Sequence, residues 1–294
     1  MKKLYWKTYT WFYWRIVAKL EWLFHGKNPQ AASLQTGLTI GLVTFVARYE
    51  KFFQPFIRQL AAVFPHREII VIANGYPDKE RQDKYLASIS AFIAQFPNVR
   101  LIPHHEPEGL SRLWNEIIRN ASSDHVLIMN DDISITPLFR RQLENSGILE
   151  SDLALINQTW SHFVIAKKTV ASIGWFDERL EGVGNEDQDY DYRLIAAGKS
   201  AGNAWLKGIR NIVTDTPDSS YKAKTVTVNR KYSGINYEFL HRKWRIYERK
   251  KNDLCLYSPK FNTWFEKEPL LPTPLFYPPP QPRNADPKSN SKKS

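Results

Sequence analysis

At 294 residues, with 43% hydrophobic and 24% charged side chains, the chain can bury the core of one large domain or two modest ones. Its single cysteine, Cys255, excludes an internal disulfide framework and any cysteine-based zinc site. A formal net charge of +11 points to an anionic partner: nucleic acid, an acidic membrane face or a phosphorylated substrate.

Three regions differ in character. Residues 1–30 are basic and rich in Trp and Tyr. Lys3, Lys7, Trp11, Arg15 and Lys19 recur every four residues and form one stripe of a helix, with Tyr13, Ile16, Leu20 and Leu23 among the residues filling the rest. Lysines interrupt the apolar run too often for a spanning helix, which needs roughly 20 mostly apolar residues. The pattern favours a helix lying in the membrane interface over one packed on the domain as ordinary core.

From residue 34 to 248, apolar strand-like runs alternate with longer helical patterns. Strands are predicted over 38–44, 68–73, 99–103 and 125–129, and helices over 50–64, 78–96, 110–120 and 186–197. That alternation predicts an α/β fold, a mostly parallel central sheet with crossover helices. Ligands of such sheets bind beyond the carboxyl ends of the strands, where Asn74 and the run Asn130-Asp131-Asp132 fall. The remaining stretch, 249–294, is a C-terminal extension whose end, Pro-rich from about Pro269 and then Lys/Ser/Asn-rich, cannot supply a core and is read as an extended or disordered tail.

Two acidic motifs carry the chemistry. Asn130, Asp131 and Asp132 offer only hard oxygen ligands, which suit Mg2+ or Mn2+ and not zinc, although Asn and Asp are also ordinary turn residues. Gly182-Val-Gly184-Asn-Glu186-Asp187-Gln-Asp189 opens the last of the predicted helices. The macrodipole accounts for one or two of those acids but not for the glycines just before them.

In order along residues 37–198, these blocks resemble family 2 glycosyltransferases of the GT-A fold: Thr44-Phe-Val-Ala-Arg48, Val71-Ile-Ala-Asn-Gly75, the helix bearing Asn115 and Asn120, Asn130-Asp-Asp132, Trp175-Phe-Asp-Glu178 and Glu186-Asp187-x-Asp189. The resemblance implies a Rossmann-like nucleotide half joined to an acceptor half, and inverting transfer from a nucleotide-sugar donor to an acceptor hydroxyl. It assigns Asp187 as base with Glu186 beside the acceptor, and Asp132 with Asn130 as metal ligands for Mn2+ or Mg2+. Thr44, Arg48, Asn74, Asn115 and Asp131 are assigned to the donor. Ala73 departs from the pattern, since many members carry an aspartate there.

Trp160, His162 and Trp175 are candidates for an acceptor pocket, because aromatic faces stack on sugars, and equally for core. Asp215 and His241 are candidates for a late metal ligand. The basic run 242–251 is either a solvated helix face or a second contact with anionic lipid. A nucleotidyltransferase would show a Gly-rich phosphate loop with a lysine, which is missing, and nucleic acid is not expected as a partner. The alternative is a GT-A-like module that binds carbohydrate or membrane without catalysis, which would be expected to lose its carboxylates. The implied partners are a nucleotide-sugar donor, a glycan or lipid-linked acceptor and an anionic membrane surface. The expected location is the cytoplasm, at a membrane's inner face, in bacterial surface-glycan assembly.

Overall fold

The structure, a computed structural model, describes residues 13–25, 37–212 and 219–276. Four apolar segments form parallel strands: β1 (Thr39–Thr44), β2 (Ile69–Ala73), β3 (Val99–Pro103) and β4 (His125–Asn130). Continuous β-branched runs such as Ile69-Ile-Val-Ile suit a strand covered on both faces, and every residue of β2 is buried. The helices Gln54–Val63, Lys79–Ile93 and Leu110–Asn120 provide the crossovers. Gly41 in β1 lets the last of these approach, because a Cβ there would lie 2.1 Å from the Ile117 side chain.

Beyond β4 the chain departs from simple alternation. A short β5 (Ile133–Ile135) pairs with β9 (Ile209–Asn211), and the helix Pro137–Asn145 follows β5. The hairpin β6 (Leu153–Ile156) and β7 (Thr159–Ala166) then joins the main sheet, with β7 antiparallel to β4. The two turn residues, Asn157 and Gln158, both have positive φ, as the tight turn of a two-residue hairpin demands. β8 (Gly202–Ala204) closes the sheet, whose order is β3-β2-β1-β4-β7-β6-β8. The expected mostly parallel α/β architecture is therefore present.

Residues 249–276 are not a separate extension. The hairpin β10 (Cys255–Ser258) and β11 (Thr263–Glu266) packs on the Glu186–Ala196 helix through Ser258 Oγ to Asp191 Oδ2 at 2.7 Å, and through Phe265 stacked on Tyr192. Arg179 then donates to the carbonyls of Leu271 and Pro272. The boundary expected at 248 therefore runs through one packed unit, and the Pro-rich segment is docked as far as residue 276; the rest of the expected tail lies outside the described residues.

The basic run 242–251 also differs from expectation. Lys243 is fully buried, with Nζ 2.8 Å from Asp177 Oδ2 and 2.5 Å from Asp189 Oδ1, both also fully buried. Arg193 and the Trp244 indole complete the set around Asp189. One face of the run thus anchors the Ser219–Trp244 helix inside the domain.

Candidate active site

The carboxyl ends of β1, β2, β3 and β4 share one rim. Asn74 N donates to the Thr44 carbonyl and His104 N to the Ala73 carbonyl, tying three strand ends together. The Asn74 amide is engaged with the neighbouring loop: Nδ2 donates to the Glu108 carbonyl, and Oδ1 accepts from the Gly75 and Glu108 N–H groups. From that loop Leu110 N donates to the Gly182 carbonyl at 2.7 Å, which holds the glycine-containing segment 182–184 against the rim.

At the end of β1, Arg48 reaches across to β4. Its Nε lies 2.5 Å from Asp131 Oδ1 and its Nη2 3.1 Å from Asp132 Oδ1, the second contact being poorly directed for a hydrogen bond. Both aspartates are buried. Burial pushes the Asp131 carboxyl up to about 6, against the pull of Arg48 and with a further push from the Asp132 charge. Asp131 Oδ2 and Asp132 Oδ1 are buried without a hydrogen-bond donor among the described residues. Arg48 is the cation already beside them, and the remaining hard anionic oxygens are of the kind that fits a divalent metal of the Mg2+ or Mn2+ class.

The second acid pair opens the Glu186–Ala196 helix. Asn185, left-handed at φ 70°, and Gly184, at φ 127°, turn the chain into it. Glu186 Oε2 accepts from Gly184 N at 2.7 Å, and Asp187 Oδ1 accepts from Gln188 N at 2.9 Å. Burial, then the neighbouring Asp187 charge, pushes the Glu186 carboxyl up to about 7. Asp187 is raised as well, chiefly by burial, while Lys260 pulls it back. Lys260 comes from the β10–β11 hairpin and donates to the Gln158 carbonyl at the β6–β7 turn, so the hairpin brings a cation into the field of Asp187. Nothing local in the sequence marks Lys260: it lies more than seventy residues beyond Asp187.

Residues 39–161 match the sequence profile of glycosyl transferase family 2. Over that stretch the chain is similar to glycosyl transferase family 2. No curated protein sequence matches the chain. Among solved structures, the mannosyltransferase PcManGT from Pyrobaculum calidifontis, in complex with GDP-Man and Mn2+, is 15% identical at a TM-score of 0.47, over 74% of this chain and 67% of that one. S. aureus TarS 1–349 is 14% identical at 0.43 over 57% of each chain. GalNAc-T7 with UDP, GalNAc and Mn2+ is 11% identical at 0.47, over 61% of this chain and 44% of that one. The chain thus spans about half the length of the last two, and at these scores none of the three carries an argument here.

The other residues expected at the site are placed as follows. Asn115 is fully buried, and its amide is used up by the Phe176 backbone, at 2.9 Å to both N and O, and by Glu178 Oε1. It therefore positions the segment 175–178 from inside. Trp160 lies in an aromatic core with Phe163, Phe176 and Tyr190. Trp175 borders a hollow with Ile118, Arg119 and Lys167, near the start of β4 and at the opposite end of that strand from Asp131. His162 is paired in register with Met129 near the β4 end; burial pushes its imidazole down to about 4, and neither ring nitrogen has a partner among the described residues. His241 stacks edge-on with Tyr237 around a surface hollow lined also by Glu238 and Arg242. Asp215 lies outside the described residues.

Proposed function

We propose that the protein transfers a sugar from a nucleotide-sugar donor to an acceptor hydroxyl by direct displacement, with inversion at the anomeric carbon. The observation that carries this reading is a single rim bearing two separate acid pairs, buried Asp131 with Asp132, and buried Glu186 with half-buried Asp187. Asp187 accepts the hydroxyl proton as that oxygen attacks, and Glu186 orients the acceptor beside it. Arg48 fixes the two strand-end aspartates, and with Thr44 it lines the donor side. Asp132 and Asn130 would hold a Mg2+ or Mn2+ ion, which would supply neutralising charge for the leaving diphosphate. The partners of this reading are the nucleotide sugar, a glycan or lipid-linked acceptor and an anionic membrane surface, in surface-glycan assembly on the cytoplasmic side. A binding module without catalysis is disfavoured, since it would have no use for a second acid pair, Glu186 with Asp187, beside the strand-end aspartates.

The test is release of nucleoside diphosphate from UDP-, GDP- and dTDP-sugars with and without Mn2+. Metal-dependent release from one donor is expected, falling at least about a hundredfold in Asp132→Ala. If no donor binds by calorimetry with Mn2+ present, the transferase reading fails and the binding module replaces it.

The acid pair sets the pH dependence. Glu186 and Asp187 lose protons as a coupled pair, at higher pH than ordinary carboxylates. kcat/KM should therefore rise with pH as the pair ionises. Asp191 also raises Asp187 and Lys260 lowers it, and neither changes in Glu186→Gln. Glu186→Gln removes one of the two coupled protons, so the acidic limb of that variant's profile should sharpen to the single ionisation of Asp187. A limb that keeps its parental shape would separate Glu186 from the step.

A further inference from the structure

The N-terminal helix is only half absorbed by the domain. Tyr13 is buried, and its hydroxyl lies 2.9 Å from Thr136 Oγ1. Glu21 Oε2 accepts from Leu138 N, and Trp22 packs against the main core. On the other side Ile16, Leu20 and Leu23 are 43%, 47% and 69% exposed. Their spacing makes one stripe, and the exposed Arg15 and Lys19 run beside it.

The β8–β9 loop stands at the same corner. Lys207 N donates to Gln142 Oε1 on the Pro137–Asn145 helix, and a Cβ on Gly208 would come within 2.7 Å of Thr136 Oγ1, the atom that Tyr13 holds. This loop carries Trp205, 69% exposed. Single exposed apolar residues are ordinary, whereas an apolar stripe with interleaved cations and a nearby indole has the composition of an interfacial anchor. No helix among the described residues is long and apolar enough to cross a membrane.

We infer that this corner docks on an anionic bilayer, with Ile16, Leu20, Leu23 and Trp205 entering the headgroup–acyl boundary and Arg15 and Lys19 facing lipid phosphates. Charge selects the occupant: a second copy seated on this stripe would bring Arg15 and Lys19 against their own counterparts, whereas anionic lipid complements them. The inference rests on the membrane partner of the proposed function and not on its chemistry.

The test is co-sedimentation of the full chain with phosphatidylcholine vesicles containing phosphatidylserine, against phosphatidylcholine alone. Preference for the anionic vesicles is expected, weakened about tenfold or more in Leu20→Asp/Leu23→Asp and in Arg15→Glu/Lys19→Glu. Trp205→Ala, remote in sequence from the helix, should weaken binding severalfold and guards against misfolding of the helix variants. Donor hydrolysis should be unchanged in all three, so that vesicle binding by a protein inactive on every donor would count against the transferase alone. Equal binding to both vesicle types, unchanged binding by the variants, or a dimer in sedimentation velocity that Leu20→Asp/Leu23→Asp splits would overturn the inference.

Discussion

Asp187→Asn should lower sugar transfer by about two to four orders of magnitude while leaving donor affinity nearly intact, the range spanned by loss of a general base. The substitution is close to isosteric. The side-chain oxygen can still accept from Gln188 N, so the first turn of the helix keeps its hydrogen bond. What disappears is the group that takes the proton. Asp191→Asn is the matched control, because Asp191 sits one turn along the same helix with its Oδ2 committed to Ser258. It should cost stability through the hairpin contact and change turnover far less. Steady-state kinetics with a defined acceptor, measured beside donor binding by calorimetry, separates the two. Near-normal turnover in Asp187→Asn would remove the base from the mechanism.

The site was only partly legible in the sequence, for a physical reason. Strands β1 to β4 and their crossover helices announce themselves through long apolar runs with clear periods, such as Glu68-Ile-Ile-Val-Ile-Ala73, and the acid motifs fall where those strands end. Between Asp132 and Asn211, apart from the helix predicted over 186–197, the segments carry little such signal. β5, β8 and β9 have three residues each, too few for any period to show. The β6–β7 hairpin turns on Asn157 and Gln158, without the glycine that usually marks a tight turn. Pairings across the fold are less visible still. Nothing near Arg48 says that it meets Asp131, eighty-three residues away, and nothing near Lys260 says that it meets Gln158. Asn115 was legible as important, but its direction was not, because an amide on a helix can face a ligand or the loop behind it.

The same limit explains Lys243, which a charge run read as solvated and which the fold buries. Lys243→Met should destabilise the protein by about 3–5 kcal/mol, the usual cost of removing one partner of a buried ion pair. Met fills much the same volume, so the loss is electrostatic: Asp177 and Asp189 are both fully buried and would share less positive charge. Arg193 remains on Asp189 and Arg179 on Asp177, which limits the damage to one cation. The segment through Thr273 should loosen with it, because Thr273 Oγ1 bonds both Lys243 Nζ and Asp177 Oδ2. Adding Asp189→Asn removes one uncompensated charge, so the double variant should recover part of the loss, and urea midpoints would show the two changes to be non-additive. Additive effects would mean that Lys243 and Asp189 are not energetically paired. If Lys243→Met is as stable as the parent, the buried cation serves neither the helix nor the docked segment, and the Ser219–Trp244 helix must be held by the packing of Leu240, Trp244 and Phe265 alone.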